Sequence, residues 1–291
     1  MDTTTAAARP GLVDLPQGTI EYRVAGPASS SRPPVVFAHG ILVDSRLWEP
    51  VAQRLAAEGI RSYAPTLPLG AHQRPMNSDA DLSPGGIAQL IRDFITELGL
   101  GNVVIAGNDT GGAICQVMLG GDTSQLSGAI LTNCDAFGTF PPWQLAPLFS
   151  ALRHPGLAAC LVPGLRSAWV RHGPLAFGPL TSGPLDRSLT RDWISPLARS
   201  AIRGDLARFA TAVHPRVLLD AAGRFSQFTG PVRIVWGEAD PYFGIRLAQQ
   251  LSEAFPHSHL ATIAAGRAFL PLDYPAEVAS EIVTAVEAAS S

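Results

Sequence analysis

Short apolar runs alternate with stretches of helical period along most of the chain. Residues 11–24 read as two short strands joined at a Pro-Gln-Gly turn, and residues 34–38 form a compact apolar run that stops abruptly at His39-Gly40. Residues 45–58 place Leu47, Trp48, Val51, Leu55 and Ala56 on one side of a helix; residues 60–63 are extended, and residues 65–76 form a Pro/Gly loop. Residues 82–98 repeat the helical period behind Ser83. Residues 102–106 are a β-branched strand that runs into Gly107-Asn108-Asp109-Thr110-Gly111-Gly112 and a further helix. The strand pattern returns at residues 127–133 and 231–237, with helices from about Gly244 and Pro275. Strands that alternate with amphipathic helices predict a mostly parallel central sheet flanked by helices on both faces.

Between about residues 136 and 225 the alternation stops. This segment is helix-like, broken by prolines and glycines, and carries Trp143, Trp169 and Trp193. Inserted after a strand of an open α/β sheet, it is expected to form a helical cap over the carboxyl ends of the strands, where such sheets place ligands. The expected organisation is therefore an α/β core of residues 1–135 and 226–291 with a cap of residues 136–225.

Composition narrows the function classes. With 46% apolar and 15% charged residues the chain reads as one globular fold with an insertion. A formal net charge of -3 and the lack of any recurring basic face argue against a nucleic-acid partner. Residues 1–10 show no basic start followed by an apolar run, and no later stretch is long enough to span a bilayer, so a cytoplasmic protein without a membrane partner is expected. Cys115, Cys134 and Cys160 sit among apolar residues and read as small core side chains. No metal-ligand spacing, dinucleotide fingerprint or P-loop occurs, which predicts no cofactor.

The strongest chemical signal is Val103-Val104-Ile105-Ala106-Gly107-Asn108-Asp109-Thr110-Gly111-Gly112, a strand-turn-helix with the GxSxG spacing of a nucleophile elbow and Asp at its centre. Such a turn exposes the central side chain and places the Thr110 amide and the helix N-terminus where negative charge develops. Upstream, Val35-Val36-Phe37-Ala38-His39-Gly40-Ile41 looks like the HG loop of α/β-hydrolases, which implies the Ile41 amide as second oxyanion donor. Downstream, Val235-Trp236-Gly237-Glu238-Ala239-Asp240-Pro241 looks like the turn that presents the acid of a catalytic triad, here Asp240. The motifs occur in family order over nearly the whole chain outside the cap. The sequence thus resembles the α/β-hydrolase superfamily, in its Asp-nucleophile branch of epoxide hydrolases and haloalkane dehalogenases.

A carboxylate attacking an acyl ester yields an unproductive anhydride, whereas attack on an sp3 carbon yields an ordinary ester. Epoxides and alkyl halides are therefore the sensible electrophiles. Haloalkane dehalogenases usually hold the halide with an Asn after the HG pair and a Trp after the nucleophile; Ile41 and Thr110 stand there instead, which favours epoxides. The family's proton donor is usually a cap tyrosine. The expected cap has none, and the nearest candidate is Tyr242, which reads equally as loop packing. The family's closing Gly-His motif is Ala265-Gly266-Arg267-Ala268-Phe269 here, with Ala268 at the place of the base. The residues leave open whether Asp240 itself, a water held by His39, or His72 substitutes; Asp135 fills a second acid position.

The pattern of GNDTGG, NCDAF and a His-less ending resembles atypical actinobacterial epoxide hydrolases of polyketide pathways. That resemblance implies an aromatic polyketide-type substrate. Independently, the apolar and aromatic expected cap favours a small hydrophobic ligand, with Asp135, Phe137, Trp143, Trp193 and His72 as candidates to contact it. The alternatives are a non-hydrolytic cyclase or isomerase using Asp109 as a base, a ligand-binding pseudoenzyme, and a haloalkane dehalogenase.

Overall fold

The computed structural model describes residues 8–290. The start of the chain, on which the reading of the leader rests, lies largely outside the described residues. Eight strands form one sheet: β1 (Arg9–Leu15), β2 (Gly18–Ala25), β3 (Val35–Ala38), β4 (Ser62–Pro65), β5 (Val103–Asn108), β6 (Leu126–Thr132), β7 (Val232–Gly237) and β8 (Ser258–Ile263). Their spatial order is β1-β2-β4-β3-β5-β6-β7-β8, antiparallel at the β1-β2-β4 end and parallel from β4 to β8. β3, β5 and most of β6 and β7 are buried, as a parallel sheet covered on both faces requires.

Between β3 and β6 the helices are α1 (Glu49–Ala57), α2 (Pro84–Glu97) and α3 (Thr110–Leu119). Ser83 caps α2, its Oγ accepting from Gly86 N at 3.1 Å. The helix expected over residues 45–58 begins instead as a single 3-10 turn, Ser45–Trp48, capped by Asp44, and becomes α1 at Glu49. β8 was not marked by the sequence pattern. It is an edge strand paired only with β7, and its alternation is weak because no residue in it is fully buried.

The segment between β6 and β7 holds α4 (Ala146–Leu152), α5 (Pro155–Arg166), α6 (Ala168–Arg171), α7 (Arg187–Ile194), α8 (Ser200–Ala212) and α9 (Pro215–Ala222). A buried Arg171 ties several of them together. Its Nε donates to Thr190 Oγ1 at 3.0 Å, Nη1 to the Leu165 and Arg166 carbonyls at 2.9 Å, and Nη2 to the Arg187 carbonyl at 3.0 Å. After β7 follow α10 (Ile245–Ala254), α11 (Leu270–Asp273) and α12 (Pro275–Ala289). Among the described residues no single helix is long and apolar enough to cross a membrane. Cys115 and Cys134 are buried, but Cys160 is exposed, because it lies on the outer face of α5.

Candidate active site

β5 ends at Asn108 and α3 begins at Thr110, so Asp109 alone reverses the chain, at φ 54° and ψ −131°. A non-glycine residue in such a conformation costs about 1–3 kcal/mol and persists only where its surroundings enforce it. The enforcement is visible. A Cβ on Gly107 would strike the backbone of Gly111 and Gly112, one on Gly111 the Ala38 carbonyl, and one on Gly112 the side chain of Cys134. The Asp109 amide donates to the Asn133 carbonyl at 2.9 Å, and the Asp109 carbonyl accepts from Gly112 N at 3.0 Å.

The HG loop closes over the other side of the turn. A Cβ at Gly40 would collide with the Asp109 carboxylate, so only glycine lets the loop approach. Behind it Trp48 stacks on Phe37 with ring centroids 4.6 Å apart and donates to the Ala38 carbonyl at 3.3 Å. His39 is buried and both its nitrogens are committed. Nε2 accepts from Leu67 N at 2.8 Å, which makes Nδ1 the protonated atom that donates to the Gly40 carbonyl at 2.8 Å. Burial lowers its pKa to about 4. The expectation that His39 holds a catalytic water is thereby corrected: it has no free lone pair and serves to clamp the loop.

Asp109 lines an apolar cavity of about 90 Å³. Ile41, Leu42, Thr110 and Asp135 form its floor, Tyr242 and Phe243 one wall, and Leu145, Leu148, Phe149, Leu175, Phe177, Leu180 and Ile194 of the inserted segment its roof. Two roomier hollows, of about 630 and 650 Å³, are open surface depressions that include neither Asp109 nor Asp135. Among the described residues no group of three or more His, Cys, Asp or Glu side chains is arranged to hold a metal ion.

Three carboxyls meet at this end of the sheet. Burial pushes Asp109 up to about 7, against a hydrogen bond from the Thr110 amide, and the charge of Asp240 adds to the rise. Asp135, just past β6, is buried and is held well above the usual carboxylate range by desolvation and then by the neighbouring Asp109 charge. Its main-chain carbonyl accepts from Gln116 Nε2 at 2.6 Å, while its Oδ1 has no partner among the described residues. Asp240 rises to about 6 through burial, although both its oxygens are engaged. Oδ1 accepts from the amides of Tyr242 at 2.8 Å and Phe243 at 3.2 Å, and Oδ2 from Asn133 Nδ2 at 2.8 Å. Asp240 thus shapes the turn that carries Tyr242 and does not itself line the cavity. Burial and the Asp240 charge raise Tyr242, which keeps its phenol neutral.

Among the described residues no histidine lines the cavity. Ala268 is fully buried, its carbonyl accepting from Asn108 Nδ2 at 2.7 Å. The adjoining Phe269 packs against Trp193 and Phe177, with centroids 6.1 and 6.2 Å away. His72, a candidate substitute base, points elsewhere. Its Nδ1 accepts from Gly70 N at 3.3 Å, and its Nε2 meets Asp205 Oδ2 of α8 at 3.0 Å, so it joins the 65–76 loop to the insertion. Of the aromatic candidates, Trp143 is 81% exposed and faces solvent. Trp193 is buried behind Phe177, and the half-buried Phe137 lies outside the lining. The roof is built mainly of leucines in the proline-broken segment, which no periodicity distinguishes from ordinary packing.

The model of the alpha/beta hydrolase family matches residues 35–281, and the chain belongs to that family. A haloalkane dehalogenase, DbeA from Bradyrhizobium elkani, is similar in structure with a TM-score of 0.79 at 17% identity, covering 97% of this chain and 98% of that one. An alpha/beta hydrolase fold protein from Burkholderia ambifaria superposes with a TM-score of 0.75 at 21% identity, over 95% of this chain and all of its own (100%). A membrane phospholipase A described as a bacterial virulence factor gives 0.73 at 16% identity, covering 98% and 87%. A search of curated protein sequences returned no match. At these identities the likeness shows the fold, an eight-stranded α/β-hydrolase sheet flanked by helices, within a family of hydrolases.

Proposed function

We propose that the protein opens hydrophobic epoxides, with the Asp109 carboxylate attacking carbon and water releasing a diol. The observation that carries this reading is a carboxylate, not a hydroxyl, on a strained elbow that faces an apolar cavity. A carboxylate in that position favours an sp3 electrophile. In this reading the amides of Ile41 and Thr110 stabilise the oxyanion formed at Asp109 as its ester is hydrolysed. Tyr242 is the phenol available to hydrogen-bond the epoxide oxygen. Ile41 and Thr110 offer no side-chain N–H to a departing halide, which sets this reading above dehalogenation.

The size of the cavity bears on the substrate. An apolar cavity of roughly 150 Å³ holds one benzene ring, so the cavity of about 90 Å³ suits a small epoxide-bearing group. A polycyclic aromatic substrate of polyketide type exceeds this volume and would have to extend beyond it or displace part of the lining. The test is intact-protein mass spectrometry with a panel of hydrophobic epoxides, followed by a single turnover in water enriched in heavy oxygen. Diol formation with the label on the peptide holding Asp109 supports the reading; diol labelled directly from water, or neither diol nor adduct, overturns it.

One observation favours a second reading: among the described residues, none that lines the cavity is an imidazole able to activate water. A non-hydrolytic isomerase or cyclase with Asp109 as base would convert the epoxide without a net addition of water, which the same mass measurement on the product detects.

A further inference from the structure

The proposed reaction needs an acid when the epoxide opens and a base when the ester is hydrolysed, and the usual donor and the usual imidazole are both missing. We infer that Asp135 performs both tasks: its neutral carboxyl protonates the departing epoxide oxygen, and the resulting carboxylate then takes a proton from the attacking water. This inference rests on the epoxide-opening reading above.

The geometry is specific. Asp135 leaves β6 beside the elbow, lines the same cavity as Asp109, and carries a buried oxygen that no group among the described residues satisfies. A buried polar atom without a partner costs about 1–3 kcal/mol, so a ligand atom that pairs with it is favoured at this spot. The adjacent Thr110 Oγ1, also in the lining, is likewise unpartnered. Two residues with unsatisfied polar atoms thus line the otherwise apolar cavity beside the candidate nucleophile, and pairing with the epoxide oxygen would satisfy one of them.

The charge state supports the assignment. Two carboxyls that share a cavity do not both ionise readily; the first proton leaves the group with better support and the second is retained. Asp109 has the Thr110 amide and the N-terminus of α3, so it is the first to lose its proton, at about 7, and Asp135 keeps its own to higher pH. The groups that act on Asp135 are Asp109 at the elbow and Asp240 after β7, and Cys134 adjoins it in sequence. Arg267 and Tyr242 act on Asp240 rather than on Asp135. Environments that hold one carboxyl ionised and its neighbour neutral divide nucleophile from acid.

The steps balance. An Asp109 oxygen bonds to the epoxide carbon, the carbon–oxygen bond of the ring breaks, and its electron pair takes the Asp135 proton, leaving a hydroxyalkyl ester and an Asp135 carboxylate. Water then adds to the ester carbonyl and gives one proton to Asp135. Collapse expels the alcohol oxygen, which takes the other proton, and Asp109 returns as a carboxylate.

The experiment compares wild type with Asp135→Asn toward a hydrophobic epoxide and an alkyl bromide of the same size, with the Asp109 peptide followed by mass spectrometry. Bromide departs without a proton, so the inference expects alkylation of Asp109 by the bromide at a rate near wild type. Opening of the epoxide is expected to slow by about 100- to 10,000-fold, the usual worth of a positioned acid. Any ester formed should then persist. The wild-type rate of ester formation should fall at alkaline pH as Asp135 ionises, and the variant should lack that limb. Loss of epoxide and bromide reactions together would mark Asp135 as structural, and unchanged epoxide opening in the variant would remove it as the acid; either overturns the inference. A wild type that neither opens epoxides nor forms an adduct instead overturns the underlying reading, and the inference with it.

Discussion

Replacing Asp109 by Asn should make the fold more stable, and increasingly so as the pH rises. The Asp109 carboxyl titrates at about 7 in the folded chain, whereas in the unfolded chain it titrates near the ordinary value of about 3.9. From about pH 4 to about pH 7 the unfolded chain has already released a proton that the native state retains, so stability falls by about 1.4 kcal/mol per pH unit and then levels off. The full difference is about 4 kcal/mol; because Asp135 and the Thr110 amide share the field, about 2–4 kcal/mol is the range to expect. The Asn variant has no such ionisation. Asn also tolerates positive φ, so the backbone strain at the elbow is unchanged by the substitution. Urea denaturation at about pH 4.5 and about pH 8 reads the effect: an advantage for the variant of about 1 kcal/mol or less at the lower pH, rising by about 2–3 kcal/mol at the higher. An advantage of equal size at both values, or none at the higher, would refute the argument that burial opposes the Asp109 charge.

Three further outcomes follow from particular contacts. Gly40→Ala drives a methyl group into the Asp109 carboxylate, so adduct formation should fall by about 100-fold or more, the usual penalty for a displaced reacting group, while circular dichroism stays native. His72→Ala leaves Asp205 with a missing partner at the joint between the 65–76 loop and α8; chemical denaturation should show a loss of about 1–3 kcal/mol, with the rate of Asp109 alkylation by a saturating bromide little changed. Trp143→Ser removes a side chain that is 81% exposed, so stability should move by no more than about 0.5 kcal/mol and turnover hardly at all; a large loss of turnover would return Trp143 to the site.

What could be read ahead of the structure divides along a physical line. The elbow, the HG loop and the Asp240 turn were legible because each depends on local backbone geometry that few residue types tolerate: Gly40 where the carboxylate approaches, glycines around a residue at positive φ, and a turn closed by side-chain acceptance. The inserted segment gave far less. Its prolines interrupt the helical period, and whether an aromatic side chain reaches the cavity depends on packing between helices distant in sequence. Hence Trp143 faces solvent, Trp193 sits behind the wall, and Leu145, Leu148 and Leu175 line it. The histidines misled for a related reason. The residue type suggests proton transfer, but the partners of His39 and His72 are main-chain groups and Asp205, which become neighbours only once the chain has folded. β8 carries no such signal because an edge strand with little buried area shows little of the alternation that marks its neighbours.

The clasp at Arg171 bears on how such a protein diversifies. Three of its four contacts are with carbonyl oxygens of the main chain, and the fourth is with Thr190. Carbonyls persist whatever side chain a mutation installs at Leu165, Arg166 or Arg187, so the guanidinium keeps most of its partners as the surrounding sequence drifts. The leucines of the roof can consequently change in size and shape without removing any of these four contacts. Under the function proposed above, preference for one substrate over another would be a trait that selection adjusts in the roof, apart from the residues of the elbow below.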